Sequence, residues 1–101
     1  GIKAVLAARG GYGSYRLLEK LNFATFRRHP KWLVGFSDIT ALLNQAQVAG
    51  VAALHAAMPR QFGQPEQAAS VEALRCWLFG EPVEPYALPP HPLNRIGNVA
   101  A

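Results

Sequence analysis

Gly35-Phe36-Ser37-Asp38 places a serine two residues after a glycine, where an apolar run gives way to a helical pattern. A serine on a sharp strand-to-helix turn projects its hydroxyl from the carboxyl edge of a sheet. The N–H of the next residue, at the helix start, then faces an oxyanion as it forms. Ser37 is thus a candidate nucleophile for acyl transfer, and the Asp38 N–H a candidate oxyanion donor. The closing glycine of G-x-S-x-G is replaced by Ile39, so on this pattern alone a plain helix cap at Ser37 or Asp38 is the stronger reading.

A second stretch, Arg9-Gly10-Gly11-Tyr12-Gly13-Ser14, also joins an apolar run to a helical pattern. Its three glycines let backbone N–H groups approach an anion, and a helix start adds partial positive charge. Gly11-Tyr12-Gly13 supplies G-x-G, but the third glycine of the dinucleotide fingerprint would fall on Arg16, and a Walker lysine is missing. The loop reads either as an anion-binding turn or as a tight turn that packs helix on strand.

The elements that must carry these loops follow from periodicity. Ile2 to Ala8 is a short apolar run and predicts a buried strand. Ser14 is expected to cap a helix with Leu17, Leu18 and Leu21 on one face and Glu19 and Lys20 opposite. Arg27-Arg28-His29-Pro30-Lys31 then reads as a basic, solvated loop. Trp32-Leu33-Val34 predicts a second strand ended by Gly35. From Asp38 to Ala49, Ile39, Leu42, Leu43 and Ala46 recur at helical spacing, with Gly50 as the stop. Val51 to Leu54 predicts a third strand, Pro59 to Gln67 a loop, and Val71, Leu74, Trp77 and Leu78 a third helix closed by Gly80. Trp32 and Trp77 are expected in the core. Strand and helix in alternation predict an α/β class: an open parallel sheet with flanking helices.

Composition narrows the classes. The chain has 101 residues, half of them hydrophobic and 16% charged, which excludes a disordered chain. No apolar run approaches bilayer length. A lone Cys76 excludes a disulfide scaffold; it flanks the apolar face of the third helix and reads as inert. The net charge of +4 comes from scattered bases and few acids, so no nucleic-acid surface is expected. Between Glu81 and Leu93 stand Pro82, Pro85, Pro89, Pro90 and Pro92, an extended and semi-rigid composition. Residues 1–80 therefore read as an α/β domain and 81–101 as a linker toward a further domain. Pro82-Val83-Glu84-Pro85 also fits a P-x-x-P ligand, but the linker reading is preferred. The chain opens without methionine and stops in apolar sequence, so a piece of a longer protein is expected.

Taken together, Ala8-Arg9-Gly10-Gly11-Tyr12-Gly13-Ser14 with Arg16-Leu17-Leu18, then Pro30-Lys31 and Gly35-Phe36-Ser37-Asp38-Ile39-Thr40-Ala41-Leu42, resemble the LD-carboxypeptidase family over roughly residues 3 to 60. These are the muramoyltetrapeptide carboxypeptidases and their microcin-immunity relatives. His55-Ala56-Ala57-Met58-Pro59 matches more loosely a family segment in which a histidine precedes Gly-Pro. The resemblance implies a cytoplasmic serine peptidase with a Ser-Glu-His triad and no metal or other cofactor. Its substrate would be a murein tetrapeptide, from which it removes the terminal D-alanine at an L,D-peptide bond. Ser37 matches the catalytic serine; the Asp38 N–H, with one from Gly11 or less surely Gly10, matches the oxyanion hole. Gly10, Tyr12 and His55 are candidates for substrate binding.

The resemblance places the Glu and His in a second domain beyond Ala101. A self-contained triad from Ser37, Glu81 or Glu84, and His91 is disfavoured, because nothing in the proline stretch fixes a rotamer. His55 reads as a packed or substrate-side histidine before it reads as a base, and His29 as solvated. Arg9 or Arg16 can pair a substrate carboxylate, although bracing the loop is the plainer role for either. The isolated piece is expected to be nearly inactive and to form a homodimer through exposed apolar surface. Two rivals stand beside this reading. One is a non-catalytic module holding a phosphate or carboxylate at Gly10 to Ser14, with Ser37 as a cap. The other is a sister peptidase that cleaves a peptide–nucleotide antibiotic.

Overall fold

The computed structural model describes residues 1–97; positions 98–101, the end of the expected linker, lie outside the described residues. Three short apolar runs become strands β1 (Ala4–Leu6), β2 (Trp32–Gly35) and β3 (Leu54–His55), paired in parallel in the order β1-β2-β3. Val34, at the centre of the middle strand, is fully buried between Leu6 and Leu54 in the register. Parallel neighbours cannot be joined by a hairpin, so each crossover carries helix. This is the open parallel α/β sheet that the alternation predicts.

The helix α2 (Thr40–Val48) packs on β2 and β3 through Leu43 and Ala46, both buried. It ends as expected at Gly50, whose φ of 82° needs no Cβ. There the Gly50 N–H donates to the Gln47 carbonyl and the Val51 N–H to that of Ala46, the paired bonds of a Schellman turn. That closure also corrects the third strand. Val51 is tied to the helix end, so pairing starts only at Leu54.

The helix α3 (Ala68–Phe79) buries Leu74 and ends at Gly80, with φ 69°. Trp77 meets Trp32 edge-on at 6.3 Å, yet half of Trp77 is exposed, so it borders the core instead of filling it. Arg75 links Glu72 on the same helix (2.8 Å) to Glu81 at the start of the proline stretch (2.7 Å). Its hydrogen bonds hold both carboxyls below their ordinary range. Burial, on balance, pushes the Cys76 thiol up, so little of it is thiolate at neutral pH. Because Leu74 has no solvent to relax into, Leu74→Ala should cost about 2–4 kcal/mol, read as a lowered unfolding midpoint.

Two sequence expectations fail between β1 and β2. Residues Ser14–Lys20 form a 3-10 helix, and Leu17 and Leu21 remain about half exposed. The supposed basic loop begins as the end of a short helix, α1 (Phe23–Arg28). Asn22 caps α1 by accepting the Ala24 N–H at 3.0 Å, and Phe23 and Phe26 pack edge-on. Arg27 and Arg28 fall in the last turn of α1, where the helix dipole favours cations. From residue 81 to 97 there is neither helix nor strand, as the proline content predicts. Among the described residues no helix is long and apolar enough to cross a membrane.

Candidate active site

β1 and β2 run side by side, so the loops that leave their carboxyl ends emerge next to each other. The first loop carries the glycines and the second carries Ser37. Ser37 has φ 61°, the one positive value at a non-glycine residue among those described. A left-handed conformation is costly for an L-residue with a Cβ, and here it turns the chain sharply between strand and helix. Phe36 before it is extended, and Ser37–Ile39 opens directly into α2 as one 3-10 turn.

Gly35 is what lets this turn close. A Cβ at position 35 would sit 2.8 Å from Ile39 Cγ2 and 3.3 Å from Ala7 Cβ. Gly10 meets the turn from the other side: its absent Cβ would lie 3.2 Å from Ser37 Cβ, 3.3 Å from Ser37 Oγ and 3.9 Å from the Asp38 nitrogen. Nothing lies within 4 Å of the corresponding point at Gly11. The neighbour of Ser37 in the glycine loop is therefore Gly10, which the sequence placed second to Gly11. No hydrogen bond occupies the Asp38 N–H or the Ser37 hydroxyl among the described residues.

Asp38 does something its position in the sequence does not announce. Its carboxylate accepts the Gly13 N–H at 3.1 Å and the Ser14 N–H at 3.0 Å. The Ser14 hydroxyl donates in turn to the Asp38 carbonyl, and Ser14 is buried. This corrects the expected role of Ser14. It does not cap its own helix, because Gly13 stands at the cap position and the first free N–H groups have a carboxylate from another loop. On the far side of the loop, the Arg60 N–H donates to the Ala8 carbonyl at 3.3 Å, bringing the segment after β3 back to the same edge.

His55 ends β3 opposite Gly35 and lays its ring 6.0 Å from that of Phe36, without a hydrogen bond to Ser37. Both rings border a cavity of about 340 Å³ that Leu74, Trp77 and Tyr86 also line. Tyr12 is largely exposed, with the Arg16 guanidinium 5.3 Å above its ring and 5.7 Å from that of Tyr15. Arg9 reaches only the carbonyl of Gly10. Glu81 is held by Arg75, and His91 accepts the Leu93 N–H through Nδ1. Neither makes a hydrogen bond to Ser37 among the described residues. The arrangement is a serine in left-handed backbone packed against Gly10, with no side chain hydrogen-bonded to its hydroxyl among the described residues.

Comparison with known proteins bears on these same loops. The model of the LD-carboxypeptidase N-terminal domain matches residues 1–56. Two proteins named "Putative carboxypeptidase" are similar over most of the chain. One, from Synechocystis sp., is 39% identical over 84 residues, which are 82% of this chain and 27% of that protein. The other, from Streptomyces coelicolor, is 42% identical over 80 residues, 77% of this chain and 26% of that protein. A "Probable murein peptide carboxypeptidase" of Bacillus subtilis is 49% identical over 41 residues, 41% of this chain and 13% of that protein. The aligned part thus spans about a quarter of the first two relatives. No solved structure matches the chain.

Proposed function

The chain belongs to the LD-carboxypeptidase family, and we propose that Ser37 is the nucleophile of a serine carboxypeptidase acting on murein tetrapeptides. The reading rests above all on one observation: Ser37 is held at φ 61° with the Asp38 N–H and Gly10 beside it. Ser37 Oγ attacks the carbonyl carbon of the L,D-peptide bond before the terminal D-alanine. The oxyanion that forms is met by the Asp38 N–H and by an N–H of the Gly10-Gly11 turn. As the C–N bond breaks, D-alanine leaves with a proton, and an acyl-enzyme remains on Ser37. Water then adds to the ester carbonyl and releases the shortened peptide and the serine hydroxyl.

A serine hydroxyl needs a base within about 3 Å to be a useful nucleophile, and no described residue fills that place. We infer that the base and the acid that orients it are a His and a Glu of another part of the full-length protein. Residues 1–101 alone should then be nearly inactive. The same reading carries a cytoplasmic site of action and a homodimer, both open to direct test.

The anion-module rival needs the free N–H groups at the start of the Ser14–Lys20 segment. Those of Gly13 and Ser14 are already spent on the Asp38 carboxylate, which favours acyl transfer. The test is D-alanine release by the full-length protein. Release from a murein tetrapeptide, and none from a D-Ala-D-Ala pentapeptide, is the expected result. Cleavage of a peptide–nucleotide in its place would move the specificity to the sister reaction. Cleavage of none of these overturns the proposal.

A further inference from the structure

We propose that the side chains of Asp38 and Ser14 form a latch that sets the oxyanion hole, so that Asp38 serves the reaction twice. Its N–H is the donor named above, and its carboxylate positions the other donor. This inference rests on the proposed role of Ser37 and adds two positioning residues to it.

Little else fixes the glycine loop. Between Ala7, whose N–H still donates to Val34 as an extension of the sheet, and the 3-10 segment at Ser14, the loop runs through three glycines. Glycines lose more freedom on ordering than any other residue. Among the described residues, two sets of hydrogen bonds tether this loop to the rest of the molecule. One is the Ala8 carbonyl, which accepts from Arg60 at 3.3 Å. The other is the latch, in which Asp38 accepts from Gly13 and Ser14, and Ser14 Oγ donates back to Asp38. Gly10 lies between the tethers, against Ser37.

The two halves of the latch act on different atoms. The carboxylate draws the loop toward the turn that bears Ser37. The Ser14 hydroxyl fixes the Asp38 carbonyl, and hence the peptide plane that follows Asp38, at the start of α2. A charged acceptor makes the N–H bonds stronger than neutral ones, and Ser14 is buried, so water competes poorly for its hydroxyl. An oxyanion hole works only if its donors are fixed before the charge appears. The contacts join residues 24 and 25 positions apart in sequence, and they link the two loops that flank the reacting serine.

The test uses the full-length protein with Asp38→Asn and Ser14→Ala, and it follows kcat and KM for D-alanine release from the tetrapeptide. Asp38→Asn sets an NH2 against one of the two N–H donors; Ser14→Ala removes only the hydroxyl. Deleting an oxyanion donor costs roughly 10²–10³ in kcat, and misplacing one should cost about 10- to 100-fold, with KM within about threefold. A phosphonate analogue of the tetrahedral intermediate should lose affinity by the same factor as kcat/KM, which loss of fold alone would not produce. If Asp38→Asn does not fold, Ser14→Ala carries the test. A kcat within twofold of native in the folded variants overturns the latch. So does a loss that appears only in KM, or one the phosphonate does not follow. Native enzyme without any D-alanine release is a separate failure, that of the proposed reaction.

Discussion

In the full-length protein, Ser37→Ala should lower D-alanine release by roughly 10⁴- to 10⁶-fold, the loss typical of a removed serine nucleophile. The oxyanion hole survives the change, so a trace of catalysis above water remains. Local geometry offers a second variant that separates chemistry from folding. At φ 61° an alanine keeps the strain that serine bears, whereas glycine adopts that conformation freely. Ser37→Gly should therefore be as inactive as Ser37→Ala and more stable than it by about 1 kcal/mol. An enzyme that is more stable and yet dead leaves no room for misfolding as the cause. Retention of a tenth of the native rate by either variant would mean that Ser37 is only the start of α2.

The second large effect is expected at Gly35, two residues before the proposed nucleophile. Its backbone needs no unusual φ; the requirement is one of space. The methyl of alanine would sit 2.8 Å from Ile39 Cγ2, 3.1 Å from Ile39 Cβ and 3.3 Å from Ala7 Cβ, in a buried place with no slack. Overpacking of this kind costs about 1–3 kcal/mol, or roughly 4–8 °C in unfolding midpoint per kcal/mol for a domain of this size. The turn must shift to relieve the clash, and Ser37 rides on it. A displacement near 1 Å at a reacting group is worth about 10²-fold in rate, so Gly35→Ala should lose both stability and kcat. Ile39→Ala in the same chain removes the Cγ2 contact and should restore part of both, a coupling visible in a double-mutant cycle. Gly11→Ala is the contrast: nothing lies within 4 Å of its Cβ position. Gly35→Ala with native midpoint and native kcat would refute the steric account of the elbow.

Much of the scaffold was legible because local sequence and global fold agree in it. β1 and β2 are apolar runs that pair as parallel strands, and α2 and α3 carry their core residues at helical spacing with glycine after the carboxyl end of each. The expected burial of the first strand fails, because β1 lies at the edge of the sheet with Val5 about half exposed. The sharp turn between strand and helix was legible from Gly35 and Ser37, but the local pattern favoured a helix cap there, and only the family resemblance pointed to a nucleophile. What stayed hidden depends on partners far apart in the chain. The Asp38 carboxylate can serve the first turn of its own helix or reach across to Gly13 and Ser14, and nothing local decides between them. Ser14 looked like a cap for the same reason: the donors it was expected to satisfy are satisfied from another loop. α1 was missed because Asn22 and the Phe23–Phe26 pair precede a run of bases that reads as solvated loop. The short third strand followed from the Val51 bond to Ala46, a consequence of how α2 ends.

The most direct test of the central claim is to treat the full-length protein with a fluorophosphonate and map the modified peptide by mass spectrometry. The account predicts a single adduct on Ser37, formed in step with loss of D-alanine release and slowed by the murein tetrapeptide. An adduct on a different serine that abolishes release, with Ser37 left unmodified, would contradict it.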